Sequence, residues 1–174
     1  MIFRRIGHKK TKAADGHTLI ETPLFPKNGQ IKSIKRHDAL IGIGSNIKNP
    51  MQKIKKLYFF LQKDPYIDIC FTSYILKNPA FGYTTQPDFF NAVAAVKTDL
   101  TPLRLLRRLL WIEKRFGRKR SFKNAPRTLD LDIIFFENLI MYNKKLILPH
   151  PEYKNRASVL LPMTYKRSKL KWKK

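Results

Sequence analysis

Arg127-Thr128-Leu129-Asp130-Leu131-Asp132-Ile133-Ile134-Phe135-Phe136 alternates acidic and aliphatic residues and then runs fully apolar. Alternate side chains of a strand point to opposite faces. Asp130 and Asp132 therefore share one face, while Leu129, Leu131 and Ile133 share the other. At about 3.3 Å per residue the two acids stand about 7 Å apart at Cα. Two carboxylates at that spacing suit hard cations held between them and a polyphosphate. Arg118, Arg120 and Arg127 add positive charge just upstream, so the ingredients of phosphoryl transfer are adjacent. The same residues would also serve as an inert strand edge in which acids pair with arginines. On spacing alone that plainer reading is the better one, because Asp-x-Asp is common by chance.

Working outward, strand and helix signals surround this segment. Asp38 to Gly44 reads as a short buried strand ending in the turn Gly44-Ser45-Asn46. Pro50 opens a helix to about Lys63, with Ile54, Leu57, Tyr58 and Leu61 on one stripe. Ile67 to Leu76 reads as one strand. A loop with Pro79, Gly82 and Pro87 leads to a strand from Phe89 to Val96. Thr101-Pro102 starts a helix to Phe116, with Leu103, Leu106 and Leu110 stacked and Gly117 just past its end. Lys145 to Leu148 reads as a short returning strand, and Arg156 to Leu161 as one helical turn before Pro162. The order strand, helix, strand, strand, helix, strand predicts an α+β fold. Its expected form is the ferredoxin-like βαββαβ sandwich with an extra C-terminal strand.

Domain organisation follows from charge and punctuation. The chain of 174 residues carries a net charge of +24. Residues 1–36 carry +7, residues 165–174 carry +6, and the expected domain between them, 37–164, carries +11. Residues 1–36 show no sustained period and read as a flexible basic extension whose removal leaves the chemistry unchanged. Residues 165–174 read as a basic tail. Charge so widely spread attracts nucleic acid or anionic membrane non-specifically, and equally suits an anionic small substrate. No apolar run is long enough to span a bilayer, and no apolar block follows the N-terminal arginines. Cys70 is the single cysteine, so no internal disulfide can form, and no Cys/His cluster has zinc spacing. A reducing cytoplasm is the expected location.

Several segments now form an ordered set. They are Gly44-Ser45-Asn46, Asn78-Pro79-Ala80-Phe81-Gly82, Gln86-Pro87-Asp88-Phe89-Phe90-Asn91, Glu113, Gly117-Arg118-Lys119-Arg120, Arg127-Thr128-Leu129-Asp130-Leu131-Asp132, Pro149-His150-Pro151, Asn155-Arg156 and Val159-Leu160-Leu161-Pro162. The set, spanning roughly residues 38–163, resembles the 6-hydroxymethyl-7,8-dihydropterin pyrophosphokinases of folate biosynthesis. That resemblance reverses the preference for an inert acid pair. It implies pyrophosphate transfer from ATP to the pterin hydroxymethyl group, giving AMP. It implies two Mg²⁺ on Asp130 and Asp132, and Arg118 and Arg127 as catalytic-loop phosphate clamps. Glu113, Arg120, Lys145, His150 and Arg156 match ATP-side positions. Gly44, Asn78, Pro79, Phe81, Phe89 and Asn91 match the pterin side, with Phe89 stacking on the ring and Asn91 reading its edge. Small-molecule substrates, no specific nucleic acid, no membrane and a monomer complete the implication.

Three departures stand out. Ser158 falls where relatives often carry a second stacking aromatic, and Tyr153 or Phe81 are the candidates to replace it. The segment between Arg120 and Arg127 is about one residue shorter than in some relatives. Residues 1–36 precede the usual start. The alternative reading is a nucleic-acid-binding ferredoxin-like module, although no Lys/Arg-Gly-Phe/Tyr segment of the RNA-binding type is present. A metal-free acid pair is expected to repel itself, so deleting one carboxylate should raise thermal stability.

Overall fold

Ten strands and three helices occupy the described residues of the computed structural model, which are 9–12, 16–29, 32–80, 85–119, 122 and 125–164. In chain order they are β1 (Lys9–Lys12), β2 (Thr18–Glu21), β3 (Lys27–Asn28), β4 (His37–Ser45), α1 (Pro50–Gln62), β5 (Ile67–Thr72), β6 (Ile75–Asn78), β7 (Phe89–Thr98), α2 (Pro102–Arg115), β8 (Asp130–Phe136), β9 (Met141–Asn143), β10 (Leu146–Leu148) and α3 (Ala157–Thr164). A 3-10 turn at Tyr153–Asn155 precedes α3. The main sheet runs β1-β2-β6-β7-β4-β8, with β5 also on the edge of β7 and β3 on β5. Its strand pairs are antiparallel, so the class is α+β. β9 and β10 form a separate hairpin.

The alternation of β8 decides what lies on each side of this sheet. Leu129, Leu131 and Ile133 join Ala39, Ile41 and Ile43 of β4 and Ala92, Ala94 and Val96 of β7 in one core. The helices close that core with Ile54, Leu57, Tyr58 and Leu61 from α1 and Leu105, Leu109 and Ile112 from α2. Full burial of each leucine, isoleucine or valine among them stabilises the fold by about 2 kcal/mol before chain entropy is counted. The opposite face carries a smaller cluster, Leu40, Phe71, Val93, Ala95 and Ile134, under Val159 of α3. Asp130 and Asp132 belong to this second, more open face.

The α1 stripe is the predicted one. In α2 the buried residues are Leu105, Leu109, Ile112 and Glu113, not the expected Leu103, Leu106 and Leu110. Leucines surround much of that helix, so several 3.6-residue stripes are available. The one continuing into Ile112 faces the sheet, and Leu110 is left exposed. The C-terminus follows the Gly117 signal. Gly117 has φ +77°, its N–H donates to Lys114 O at 3.0 Å, and Arg118 N–H donates to Glu113 O at 3.0 Å. This Schellman geometry turns the chain back toward β8. Midway along α2, Arg108 makes two bonds of 2.9 and 2.7 Å to the buried Asp64, tying α2 to the end of α1.

The expected single strand 67–76 is two strands, β5 and β6. At Ser73 the hydroxyl accepts from Val93 N–H at 2.8 Å and donates to Tyr74 O at 2.8 Å, so a side chain takes over part of the ladder. β8 spans Asp130–Phe136, and α3 extends beyond one turn to Thr164, with Pro162 inside it.

The described residues within 1–36 depart most from the sequence reading. Where no strand period was legible, β2 pairs with β6 and β3 with β5. Leu19, Ile20 and Phe25 are buried, and the Phe25 ring meets Tyr58 edge-on with centroids 6.1 Å apart. Gly29 lies so close to β5 that a Cβ would fall 1.9 Å from Ile69 O, an approach only glycine permits. Phe25→Leu is therefore expected to lower the unfolding free energy by about 1 kcal/mol in urea titration. A loose appendage would give no change. The expected tail, 165–174, lies outside the described residues.

Candidate active site

Three adjacent strands build the site. Gly44 of β4 is registered with Asp130 on one side and Asn91 of β7 on the other, and Gly42 is registered with Asp132. Side chains opposite one another in a sheet lie on the same face. The middle strand offers only hydrogen atoms there, so the acids and the amide border a trough. A Cβ on Gly44 would stand 3.1 Å from Asn91 Oδ1 and 3.6 Å from Asp130 Cβ. On Gly42 it would stand 3.1 Å from Ile134 Cδ1. These glycines serve close approach, not an unusual backbone angle. The resulting cleft, open to solvent, is bordered by Asn91, Asp130, Asp132, Arg156 and Ser158.

Each acid is already compensated. Arg118 and Arg127 both pair with Asp130, the Arg127 contact being 2.5 Å. Arg156 donates to Asp132 Oδ2 at 3.1 Å. Burial pushes the Asp130 carboxyl up, but Arg127 and Arg118 outweigh it and hold the group below the usual carboxylate range. Burial likewise opposes charge on Arg118, and Asp130 with Glu113 reverses that effect and raises its pKa. The expected self-repelling acid pair is thus corrected. The acids face arginines, because Gly117 delivers Arg118, and the junction between the 3-10 turn and α3 delivers Arg156, onto β8.

Glu113 is almost fully buried at 2 % exposure. Its carboxylate accepts from Leu131 N–H at 2.7 Å and from Arg118 at 2.5 Å. It therefore aims Arg118 and pins β8, and does not face the cleft's solvent. Arg127 lies with its guanidinium 5.1 Å over the Phe89 ring. Its Nε is buried and has no hydrogen-bond partner among the described residues. Asn91 Nδ2 donates to Asn78 Oδ1 at 2.7 Å, and Asn78 Nδ2 donates to Pro79 O at 2.8 Å. This chain of amides forms the side of the trough away from the acids.

His150 is tied to β8 through its N–H, which donates to Ile134 O at 2.9 Å. Its Nδ1 accepts from Glu152 N–H at 3.2 Å, which leaves Nε2 to carry the proton of the neutral ring. Burial and then Arg156 push its pKa below the ordinary histidine value. Lys145 is exposed in the β9–β10 turn and does not border the cleft. Phe81 and Arg120 lie outside the described residues. Tyr153 packs edge-on against Phe135, centroids 4.8 Å apart, away from the cleft border where Ser158 stands.

Two residues absent from the sequence-based list organise the loops. Ser45 Oγ donates to Thr128 O at 2.6 Å. Asn46, 2 % exposed, bonds to Arg127, Gln86 and Pro87. Their signal was present in Gly44-Ser45-Asn46, since polar residues directly after a buried strand need internal partners.

Residues 40–166 match the family model of 7,8-dihydro-6-hydroxymethylpterin-pyrophosphokinase. The chain is 45 % identical over 126 residues to the 2-amino-4-hydroxy-6-hydroxymethyldihydropteridine pyrophosphokinase of Helicobacter pylori, covering 71 % of this chain and 77 % of that one. It is 44 % identical over 141 residues to the Campylobacter jejuni protein of the same name, covering 81 % and 88 %. For the Haemophilus influenzae protein of that name the identity is 37 % over 125 residues, covering 72 % and 78 %.

Proposed function

The chain belongs to the 7,8-dihydro-6-hydroxymethylpterin-pyrophosphokinase family, and from that premise we propose how its own residues carry pyrophosphate from ATP to the pterin hydroxymethyl group. The observation that carries the reading is the trough itself. Two acids on one strand face an amide chain across a glycine floor, with three arginines reaching the acids. The strand order β8-β4-β7-β5 supports the ferredoxin-like arrangement for the core. No helix among the described residues is long and apolar enough to cross a membrane. Nothing in these observations favours the nucleic-acid-binding alternative.

Asp130 and Asp132 are hard oxygen donors on one open face, and no cluster of three or more acid, His or Cys ligands forms among the described residues. That sparse set fits Mg²⁺, which keeps waters and phosphate oxygens as its other ligands. These two acids would hold a pair of Mg²⁺ ions, which would neutralise phosphate charge and polarise the phosphoryl group. Arg118, Arg127 and Arg156 are poised to leave the carboxylates for phosphate oxygens once other cations compensate the acids. The buried Nε of Arg127 gains a partner in the same exchange. Positioning and charge neutralisation supply most of the catalysis in such transfers. Asn91 and Asn78 read the polar pterin edge, and Phe89 offers its ring face once Arg127 withdraws. His150 supplies a neutral Nε2–H donor on the nucleotide side. Lys145 and Arg120 are further nucleotide contacts in this reading, and Pro79 and Phe81 further pterin contacts.

The test is AMP release from ATP and 6-hydroxymethyl-7,8-dihydropterin, with and without Mg²⁺. Magnesium-dependent AMP is expected, and ADP alone would refute the reading. The glycine floor gives a sharper expectation. Gly44→Ala pushes Asn91 Oδ1 outward by a few tenths of an ångström and disturbs its bond to Asn78. The KM for the pterin should rise about tenfold, equivalent to one lost hydrogen bond, with the KM for ATP unchanged.

A further inference from the structure

Asn46 spends its whole amide on two different loops. Its Oδ1 accepts from Arg127 N–H at 2.8 Å, and its own N–H donates to Arg127 O at 3.1 Å. Its Nδ2 donates to Gln86 Oε1 at 2.8 Å and to Pro87 O at 3.1 Å. The orientation of the amide is fixed by chemistry, because only the oxygen can accept from Arg127 N–H. The residue is 2 % exposed, so water does not compete for these bonds. On one side, Arg127 carries the guanidinium that pairs with Asp130 and covers Phe89. On the other, Gln86 and Pro87 lead directly into Phe89 and Asn91, while Asp88 pairs with Lys77 of β6 at 3.1 Å.

We propose that Asn46 is a positioning residue that couples the pterin-side loop 85–88 to the phosphate-side arginine, Arg127. This rests on the pyrophosphokinase reading and deepens it. A rigid strand end is the right place for such a coupler. Ser45 is buried at the end of β4 and donates to Thr128 O at 2.6 Å, so Asn46 starts from a fixed backbone. Movement of either loop then strains bonds held by the other. Arg127 can uncover Phe89 only while its main chain stays tied to the segment that presents Phe89. The pterin face and the phosphate clamp are thereby kept in register.

The two halves of the amide can be tested separately. Asn46→Asp keeps an acceptor for Arg127 N–H but turns a second oxygen toward Gln86 Oε1 and Pro87 O. Gln86→Ala removes one partner from a half-buried loop residue without touching the strand. Both are expected to raise the pterin KM, Gln86→Ala about fivefold, and to leave the ATP KM unchanged. Asn46→Ala frees both loops, so kcat/KM for the pterin should fall about a hundredfold, with the ATP KM rising as well. In that background Gln86→Ala should have little further effect. Full additivity of the two, or variants that lower Tm while leaving every KM within twofold of wild type, would overturn the coupling. Deuterium uptake at the Arg127 amide and at residues 85–88 should quicken together in Asn46→Ala without substrate. That readout is independent of turnover: wild-type protein that releases no AMP refutes the reading, whereas unchanged exchange refutes the coupling.

Discussion

Asp132→Ala is expected to lower kcat by roughly a thousandfold, about 4 kcal/mol of transition-state stabilisation, while the protein stays folded. The two acids differ in their surroundings. Asp130 is held by two arginines, with its side chain 19 % exposed. Asp132 is 37 % exposed and meets only Arg156, itself 39 % exposed, at 3.1 Å among the described ion pairs. A pair so open to water contributes about 0–1 kcal/mol to stability, so its loss leaves the fold intact. In the proposed function that openness would make Asp132 the readier donor to a divalent cation, since less must be broken first. A steady-state AMP assay gives kcat, and a urea titration of the same preparation gives stability. Turnover within tenfold of wild type would remove Asp132 from the metal-holding role. A matching collapse of stability would reassign it to the fold.

How much of this was legible depends on which physical signal each element carries. The β8 alternation, the α1 stripe and the Gly117 stop are local signals, and each element sits where its pattern places it. The stripe of α2 was not legible, because leucine at 103, 105, 106, 109 and 110 lets several helical faces compete. Only packing against the sheet selects among them. The N-terminal strands were hidden for a related reason. Thr18–Glu21 and Lys27–Asn28 are too short to show a period and are specified by partners on β6 and β5 about 45 to 60 residues away. In the candidate site, Asp130, Asp132, Arg118, Arg127 and Arg156 are expected from the ordered set of motifs, and the structure brings their side chains together. Their pairing with one another does not show in that set. It arises where the Schellman turn and the junction ahead of α3 deliver arginines onto β8, and charge counted along a sequence carries no information about such meetings.

That pairing reverses the sign of a stability expectation. If the acids merely repelled each other, removing one would stabilise the metal-free protein. With Arg118 and Arg127 on Asp130, Asp130→Asn instead leaves two partly buried guanidiniums undercompensated. Arg118 keeps Glu113 at 2.5 Å, whereas Arg127 is left against the Phe89 ring. Breaking a fully buried pair costs about 3–5 kcal/mol. Allowing for the partial exposure of these groups, Asp130→Asn should cost roughly 2 kcal/mol at pH 7 without Mg²⁺. The pH dependence follows from the direction of the shift. The folded carboxyl lies below its unfolded value, so the unfolded chain binds the extra proton as pH falls. The contribution is fully present above the unfolded carboxyl value of about 3.9, and it fades as pH drops through the lower folded one. The stability gap between wild type and Asp130→Asn should therefore be constant from neutral pH to about 5 and narrow in acid. Added Mg²⁺ should stabilise the wild type by mass action and the variant far less. Urea titrations across pH, with and without the cation, measure all of these, and a metal-free variant more stable than wild type at pH 7 would show that repulsion between the acids outweighs their arginines.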